Sequence, residues 1–306
     1  MFTISNPHLL LIDGMALLFR SFYATAVRNN FMFNSQGVPT NAVQGYLKHL
    51  LTAVEKFDPT HVAVCWDMGS QTFRNEMFDG YKANRQAPPV EMIPQFDLAK
   101  NLTESFGITN IGLAGYEADD CIGTISNQYK EHAHITVLTG DRDLLQIIDD
   151  RISVLIMQKG IGNYQHHTKS SFMEDFELHP RQLIDVKALM GDSSDGYPGV
   201  KGIGEKTAFK LIHDHNNIEG LLANIDSLSP SVQKKINNDL EMLHLSRQLA
   251  EIECNVPLTI DFNKTEWSVS PFASMDICDK FELKTVRNHL LKTKWLEEDN
   301  IFASRL

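Results

Sequence analysis

Nine acidic side chains stand where their type and spacing suit them to hold divalent cations. Asp13 closes the apolar run 8–13, Asp67 closes 61–67 and Asp141 closes 134–141. Glu117, Asp119 and Asp120 fall within four residues, Asp143 follows Asp141 across Arg142, and Asp192 and Asp195 are spaced i, i+3. One aspartate at a strand end serves as a turn or cap residue, and acids at a helix start offset its dipole. Three at equivalent ends, with three more crowded together, repel one another unless a cation sits among them. Oxygen donors without histidine or cysteine suit Mg²⁺ or Mn²⁺ rather than zinc. Two such ions about 3.5–4 Å apart activate a water and stabilise both oxygens of an in-line phosphoryl displacement. The chemistry expected is phosphodiester hydrolysis.

Strands and helices must bring these acids together. The runs His-Leu-Leu-Leu-Ile-Asp, His-Val-Ala-Val-Cys-Trp-Asp and His-Ile-Thr-Val-Leu-Thr-Gly-Asp read as strands buried on both faces, and Ile152 to Met157 as a fourth. Asn41 to Phe57 carries a helical apolar stripe, and Cys121, Ile122, Ile125 and Tyr129 mark another helix. Alternating strands and helices predict a doubly wound, mainly parallel α/β domain over roughly residues 1–168. Ligands of such sheets bind beyond the carboxyl ends of the strands, where the three aspartates lie. After about residue 169 the strand signal fades, so residues 169–306 are expected to be a small α-helical domain with a helical tail. The polar stretch 71–95, closed by Pro88-Pro89, reads as an excursion from the sheet.

The composition is that of an ordinary globular chain, with 42% hydrophobic and 22% charged residues in 306. No apolar run reaches membrane-span length and no signal peptide opens the chain, so a cytoplasmic location and no membrane partner are expected. Cys65, Cys121, Cys254 and Cys278 have no paired spacing, which argues against zinc and disulfides. The net charge of −11 runs against the usual basic character of nucleic-acid binders. Two divalent ions would bring −11 to −7, and local basic strips remain free to hold phosphate.

Residues 199–208, Gly-Val-Lys-Gly-Ile-Gly-Glu-Lys-Thr-Ala, resemble a phosphate loop, but Glu205 separates Gly204 from Lys206 and no strand precedes them. Helices are expected on both sides, over Leu183 to Met190 and Lys206 to His213. A hairpin of this kind offers backbone N–H groups and a helix start to phosphate. Gly199, Lys201, Gly202, Gly204, Lys206 and Thr207 therefore read as contacts to duplex backbone, independent of base sequence. Arg74, Tyr81, Lys82 and Arg85 have the chemistry to contact the reacting phosphate or stack on a base.

With these residues assembled, the chain resembles the bacterial 5′–3′ exonuclease and flap-endonuclease family, which includes the N-terminal nuclease domain of DNA polymerase I. The matching stretches are 11–14, 40–45, 72–74, 81–85, 116–120, 140–144, 189–195 and the hairpin 198–208. The resemblance implies a PIN-like fold followed by a helix-three-turn-helix domain, with a helical arch around 71–95. It implies Asp13, Asp67, Glu117 and Asp119 as ligands of a first metal, Asp120 within reach of either ion, and Asp141, Asp143, Asp192 and Asp195 as the second site. It implies Lys82 and Arg85 as catalytic cations, Tyr81 as a stacking aromatic, and a potassium ion held by hairpin carbonyls. The expected substrate is DNA with 5′ ends, flaps or nicks, or RNA primers, cut during replication and repair by a stand-alone monomer. Gly196-Tyr197 departs from the Asn-Ile usual after the last aspartate. The competing reading is a non-catalytic binder of branched DNA with a degenerate metal site.

Overall fold

A computed structural model describes residues 7–26, 31–268 and 270–295. It begins β1 (His8–Asp13), α1 (Gly14–Ala26), α2 (Asn41–Phe57), β2 (His61–Cys65), α3 (Phe73–Met77), α4 (Ile93–Ser105), β3 (Thr109–Ile111), α5 (Ala118–Tyr129), β4 (His134–Thr139), β5 (Ile152–Met157) and β6 (Tyr164–His167). Helices follow: α6 (Lys169–Phe176), α7 (Leu183–Met190), α8 (Glu205–His215), α9 (Ile218–Ala223), α10 (Pro230–Asn238), α11 (Leu240–Ala250), α12 (Pro271–Lys280) and α13 (Lys284–Leu290).

The sheet order is β3-β2-β1-β4-β5-β6, parallel except for β6, which runs antiparallel on β5. The chain leaves β1 toward β2 and later returns to place β4 on the other side of β1. That reversal opens a crevice at the strands' carboxyl ends. Asp13 ends β1 opposite Cys65, the last residue of β2. Asp67 and Asp141 lie two residues beyond β2 and β4. The three acids therefore rim one crevice, as their positions in the apolar runs predict.

Alternation along each strand separates two cores. Leu9, Leu11, Ala63, Cys65, Val137, Val154 and Ile156 face α5, and this core continues into Val186 and Leu189 of α7 and Ala208 and Ile212 of α8. Leu10, Ile12, Val62, Val64, Leu138 and Leu155 face α1, α2 and α4. Burial of both faces accounts for the uninterrupted apolar runs. Because the first core is shared, α7 and α8 are held against the sheet by the residues that hold the sheet together.

Two expectations change. Residues beyond about 260 do form helices, α12 and α13, but Cys278, Leu283, Val286, Leu290 and Trp295 are buried in the second core with α2, so this tail packs on the sheet domain. Phe262 lies against His61 with ring centroids 4.1 Å apart, and the Trp267 indole N–H donates to the Phe106 carbonyl at 3.1 Å. The segment 71–95 is not helical throughout: α3 covers five residues, turns follow, and α4 begins only at Ile93. Among the described residues, no helix is long and apolar enough to cross a membrane.

Candidate active site

A cavity of about 430 Å³ opens at the crevice, lined by Asp13, Asp67, Glu117, Asp119 and Asp141 together with Lys82, Arg85, Arg142 and Phe19. Each acid has a local reason for its place. Asp13 accepts from the Ala16 N–H at 2.9 Å, at the start of α1, and from the Thr139 hydroxyl at 2.8 Å. Asp67 accepts the Ala118 N–H at 2.7 Å, an amide that the first turn of α5 leaves free. Thr139 Oγ1 in turn accepts the Asp141 N–H at 2.9 Å, so one hydroxyl ties the ends of β1 and β4.

Burial, aided by the charges of Asp67 and Asp141, pushes the Asp13 carboxyl up to about 7. Burial and the charges of Asp13, Asp141 and Glu117 hold Asp119 well above the ordinary carboxylate range. Carboxyls that resist ionisation for want of nearby positive charge are what a hard divalent cation would relieve. The donor set fits Mg²⁺ or Mn²⁺. As they stand, no three His, Cys, Asp or Glu side chains among the described residues are arranged to hold one ion together. Part of the balancing charge comes from the chain itself. Lys82 Nζ pairs with Glu117 at 2.7 Å and Arg85 with Asp195 at 2.8 Å. Burial opposes the Lys82 charge, but Glu117 and Asp195 outweigh it and hold the ammonium above its usual pKa.

The second acid group is built around a lysine that sequence reasoning missed. Lys187 Nζ bridges Asp143 and Asp192, the latter at 2.7 Å. Burial and Asp141 push Asp143 up to about 7. Burial also opposes the Asp192 charge, yet hydrogen bonds from Lys187 and Ser194 hold that carboxyl down at about 2. Lys187 sits in the apolar run Leu-Ile-Asp-Val-Lys-Ala-Leu-Met, and a lysine on a buried helix needs an acid partner. That was the available signal. Asp141 and Arg142 line both this neighbouring cavity, of about 290 Å³, and the first one, so the two acid groups adjoin.

Three expectations for side chains are corrected. Arg74 is 2% exposed and forks onto Asp120 with two bonds of 2.8 Å, while donating to the Leu249 and Glu251 carbonyls. In this conformation its guanidinium is turned wholly onto protein partners. Asp120 is fully buried, and its oxygens also accept the N–H groups of Glu117 and Glu253. They face Arg74 and the α5 start, leaving the cavity to Glu117 and Asp119. Tyr81 is 3% exposed and packs with Ile184, Tyr197, Leu249 and Ala250. Its hydroxyl donates to Glu117 at 3.2 Å and Asp195 at 3.4 Å, so in this conformation it orients acids and has no face free for a base.

The 78–84 turns are fastened to the loop that carries Asp192 and Asp195. Lys82 N–H donates to the Asp195 carbonyl at 2.7 Å and Asn84 Nδ2 to the Ser193 carbonyl at 2.8 Å. Lys82 adopts φ +54°, a left-handed conformation costly for a side-chain-bearing residue. Gly196, at φ +84°, lets the two segments touch: a Cβ there would lie 2.5 Å from the Gly80 carbonyl oxygen. Tyr197 is buried behind it. The Gly-Tyr departure thus fits one close contact. Gly196→Ala should lose about 1–3 kcal/mol in urea unfolding and slow cleavage several-fold by shifting Lys82 and Arg85. Wild-type values for both would show that the contact is slack.

The hairpin joins α7 to α8 as the pattern predicts. Lys201, Gly202, Gly204, Lys206 and Thr207 are exposed at its tip, and Gly199 is interlocked with Gly191, a Cβ on Gly199 falling 2.3 Å from the Gly191 nitrogen.

The "5'-3' exonuclease, N-terminal resolvase-like domain" family matches residues 8–177, and the "5'-3' exonuclease, C-terminal SAM fold" family matches 178–272. The chain belongs to the 5′–3′ exonuclease family. It is 57% identical to a 5'-3' exonuclease of Bacillus subtilis over 94% of this chain and 97% of that one. It is 40% identical to a DNA polymerase I of Lactococcus lactis over 85% of this chain, which spans only 30% of that protein. A T5 D15 flap endonuclease complex with DNA and metal ions shares the fold at TM-score 0.65 and 21% identity, covering 93% of this chain and 100% of that one. The PIN-like sheet followed by a helical domain is therefore the family architecture.

Proposed function

We propose that the chain is a metal-dependent, structure-specific 5′–3′ exonuclease and flap endonuclease that hydrolyses DNA phosphodiesters near 5′ ends. The observation that carries this reading is the single cavity into which β1, β2, β4 and α5 deliver Asp13, Asp67, Asp141, Glu117 and Asp119, with the hairpin fixed to the same core. Bound Mg²⁺ or Mn²⁺, in two or more ions, would supply an activated water and charge stabilisation for both oxygens of the displacement. Asp13, Asp67, Glu117, Asp119 and Asp141 would hold one group of ions, and Asp143, Asp192 and Asp195 the other.

The chain's own cations supply the remaining electrostatics. Lys82 and Arg85 stand at the cavity wall with Glu117 and Asp195 as partners. With those carboxylates engaged by bound cations, Lys82 and Arg85 would be available to face the non-bridging oxygens of the scissile phosphate. The exposed hairpin residues Lys201, Gly202, Gly204, Lys206 and Thr207 would hold the duplex backbone away from the cut, without reading sequence. Removal of flaps or RNA primers in replication and repair, by a monomer in the cytoplasm, completes the proposal.

Incubating a 5′-flap duplex with the protein and Mg²⁺ tests it. Cleavage leaving 5′-phosphate ends is expected, and binding without cleavage would leave the non-catalytic reading. Lys82→Ala should slow the single-turnover step roughly 10²-fold with flap affinity little changed. A loss confined to affinity would make Lys82 a positioning residue.

A further inference from the structure

The resemblance implies a potassium ion held by carbonyls of the hairpin, and three of those carbonyls have partners within the chain. The Val200 carbonyl accepts the Ile203 N–H at 3.0 Å, and the Gly204 carbonyl accepts the N–H groups of Thr207 and Ala208, both at 3.0 Å. The Gly202 carbonyl, at the tip, accepts from Lys235 Nζ of α10 at 2.8 Å. The lysine crosses so closely that a Cβ on Gly202 would lie 3.2 Å from Lys235 Cε and 3.3 Å from Nζ. Four residues on, the Asp239 carboxylate accepts the neighbouring Lys201 N–H at 2.8 Å.

The i, i+4 spacing puts Lys235 and Asp239 on one side of α10 and its C-cap. From there they grip the hairpin tip with opposite charges, the ammonium on a carbonyl and the carboxylate on an amide. Each charge meets the end of the peptide dipole it suits. A monovalent cation at the Gly202 carbonyl would compete with an ammonium that already uses it, and the two like charges would repel. The residues present therefore do not fit an ion at this carbonyl.

We propose that Lys235 is the built-in cation of the hairpin, doing from within the chain what a bound potassium ion would do. Asp239 fixes its register. The consequence is a duplex grip that does not depend on potassium. This rests on the reading of the hairpin as the duplex-binding element, so the test must separate the two.

Binding of a fluorescent 5′-flap duplex is followed by anisotropy with Ca²⁺ in place of Mg²⁺, at constant ionic strength, with K⁺ or Li⁺ as the monovalent salt. The wild type should bind within about twofold in the two salts. Lys235→Met should bind roughly tenfold more weakly in Li⁺ and recover at least threefold in K⁺, the ion entering the place the ammonium leaves. Lys235→Arg, which keeps the charge, should behave as the wild type. Thermal melting checks that Lys235→Met is folded, and its melting temperature should rise on exchanging Li⁺ for K⁺ without DNA. Wild-type binding that drops fivefold or more in Li⁺ would overturn the proposal, as would a Lys235→Met variant that binds normally. If Lys206→Ala weakens binding while Lys235→Met does not, only the role of Lys235 fails. If neither variant changes binding, the hairpin reading fails with it.

Discussion

Asp141→Ala should lower single-turnover cleavage of a 5′-flap duplex by roughly 10²–10³-fold, the scale of losing one preorganised electrostatic group. Affinity for the flap should stay within a few-fold. Asp141 is singled out because it lines both adjoining cavities. Its charge acts on Asp13, Asp119 and Asp143 at once. It also fixes the following backbone, since Oδ1 accepts the Asp143 N–H at 2.8 Å. Asp141→Asn separates these roles, because it keeps an acceptor for that N–H and loses the charge. If the charge matters, Asn and Ala should be similarly slow. A near-normal Asn variant would mean that Asp141 shapes the loop and does not serve the chemistry.

The largest stability effect is expected at Arg74. Its guanidinium and the Asp120 carboxylate are both essentially sealed from water, at 3% and 0% side-chain exposure. Burial alone would disfavour the Arg74 charge. Hydrogen bonds and charge from Asp120, with Glu117 3.7 Å away, hold it firmly protonated. Removing one partner of such a pair strands the other, at a cost of about 3–5 kcal/mol. Arg74→Ala should therefore lower Tm by on the order of 10 °C. The double change Arg74→Met with Asp120→Leu should lose much less, because neither charge is left buried alone. Because Asp120 also caps α5 through the Glu117 N–H, some loss should remain. A single variant that melts with the wild type would show that water reaches the pair.

Much of the site was legible because it depends on the ends of elements. An apolar strand closed by an acid puts that acid at the sheet's carboxyl edge, whatever packs around it, and so Asp13, Asp67 and Asp141 could be placed from sequence. The hairpin was legible for a similar reason: its glycines mark turns between two helical patterns. What failed was the assignment of partners. Asp119 and Asp120 are adjacent acids, but helical geometry turns one toward the cavity and the other inward onto Arg74, a residue 46 positions away. No local periodicity encodes that pairing. Tyr81 sits in a stretch that reads as exposed, and contacts with Tyr197 and with residues of α7 and α11 bury it. The short strand β3 and the polar edge strand β6 carry too few apolar residues to be read at all. Nothing in the sequence of the C-terminal helices says that α13 covers α2.

Anomalous diffraction from crystals soaked in Mn²⁺ shows whether the carboxylate ring holds metal. Peaks are expected within the ring of Asp13, Asp67, Glu117, Asp119 and Asp141, with oxygen ligands only and Lys82 released from Glu117. An empty ring with the Lys82–Glu117 pair intact, at Mn²⁺ concentrations that support cleavage, would contradict the metal assignment.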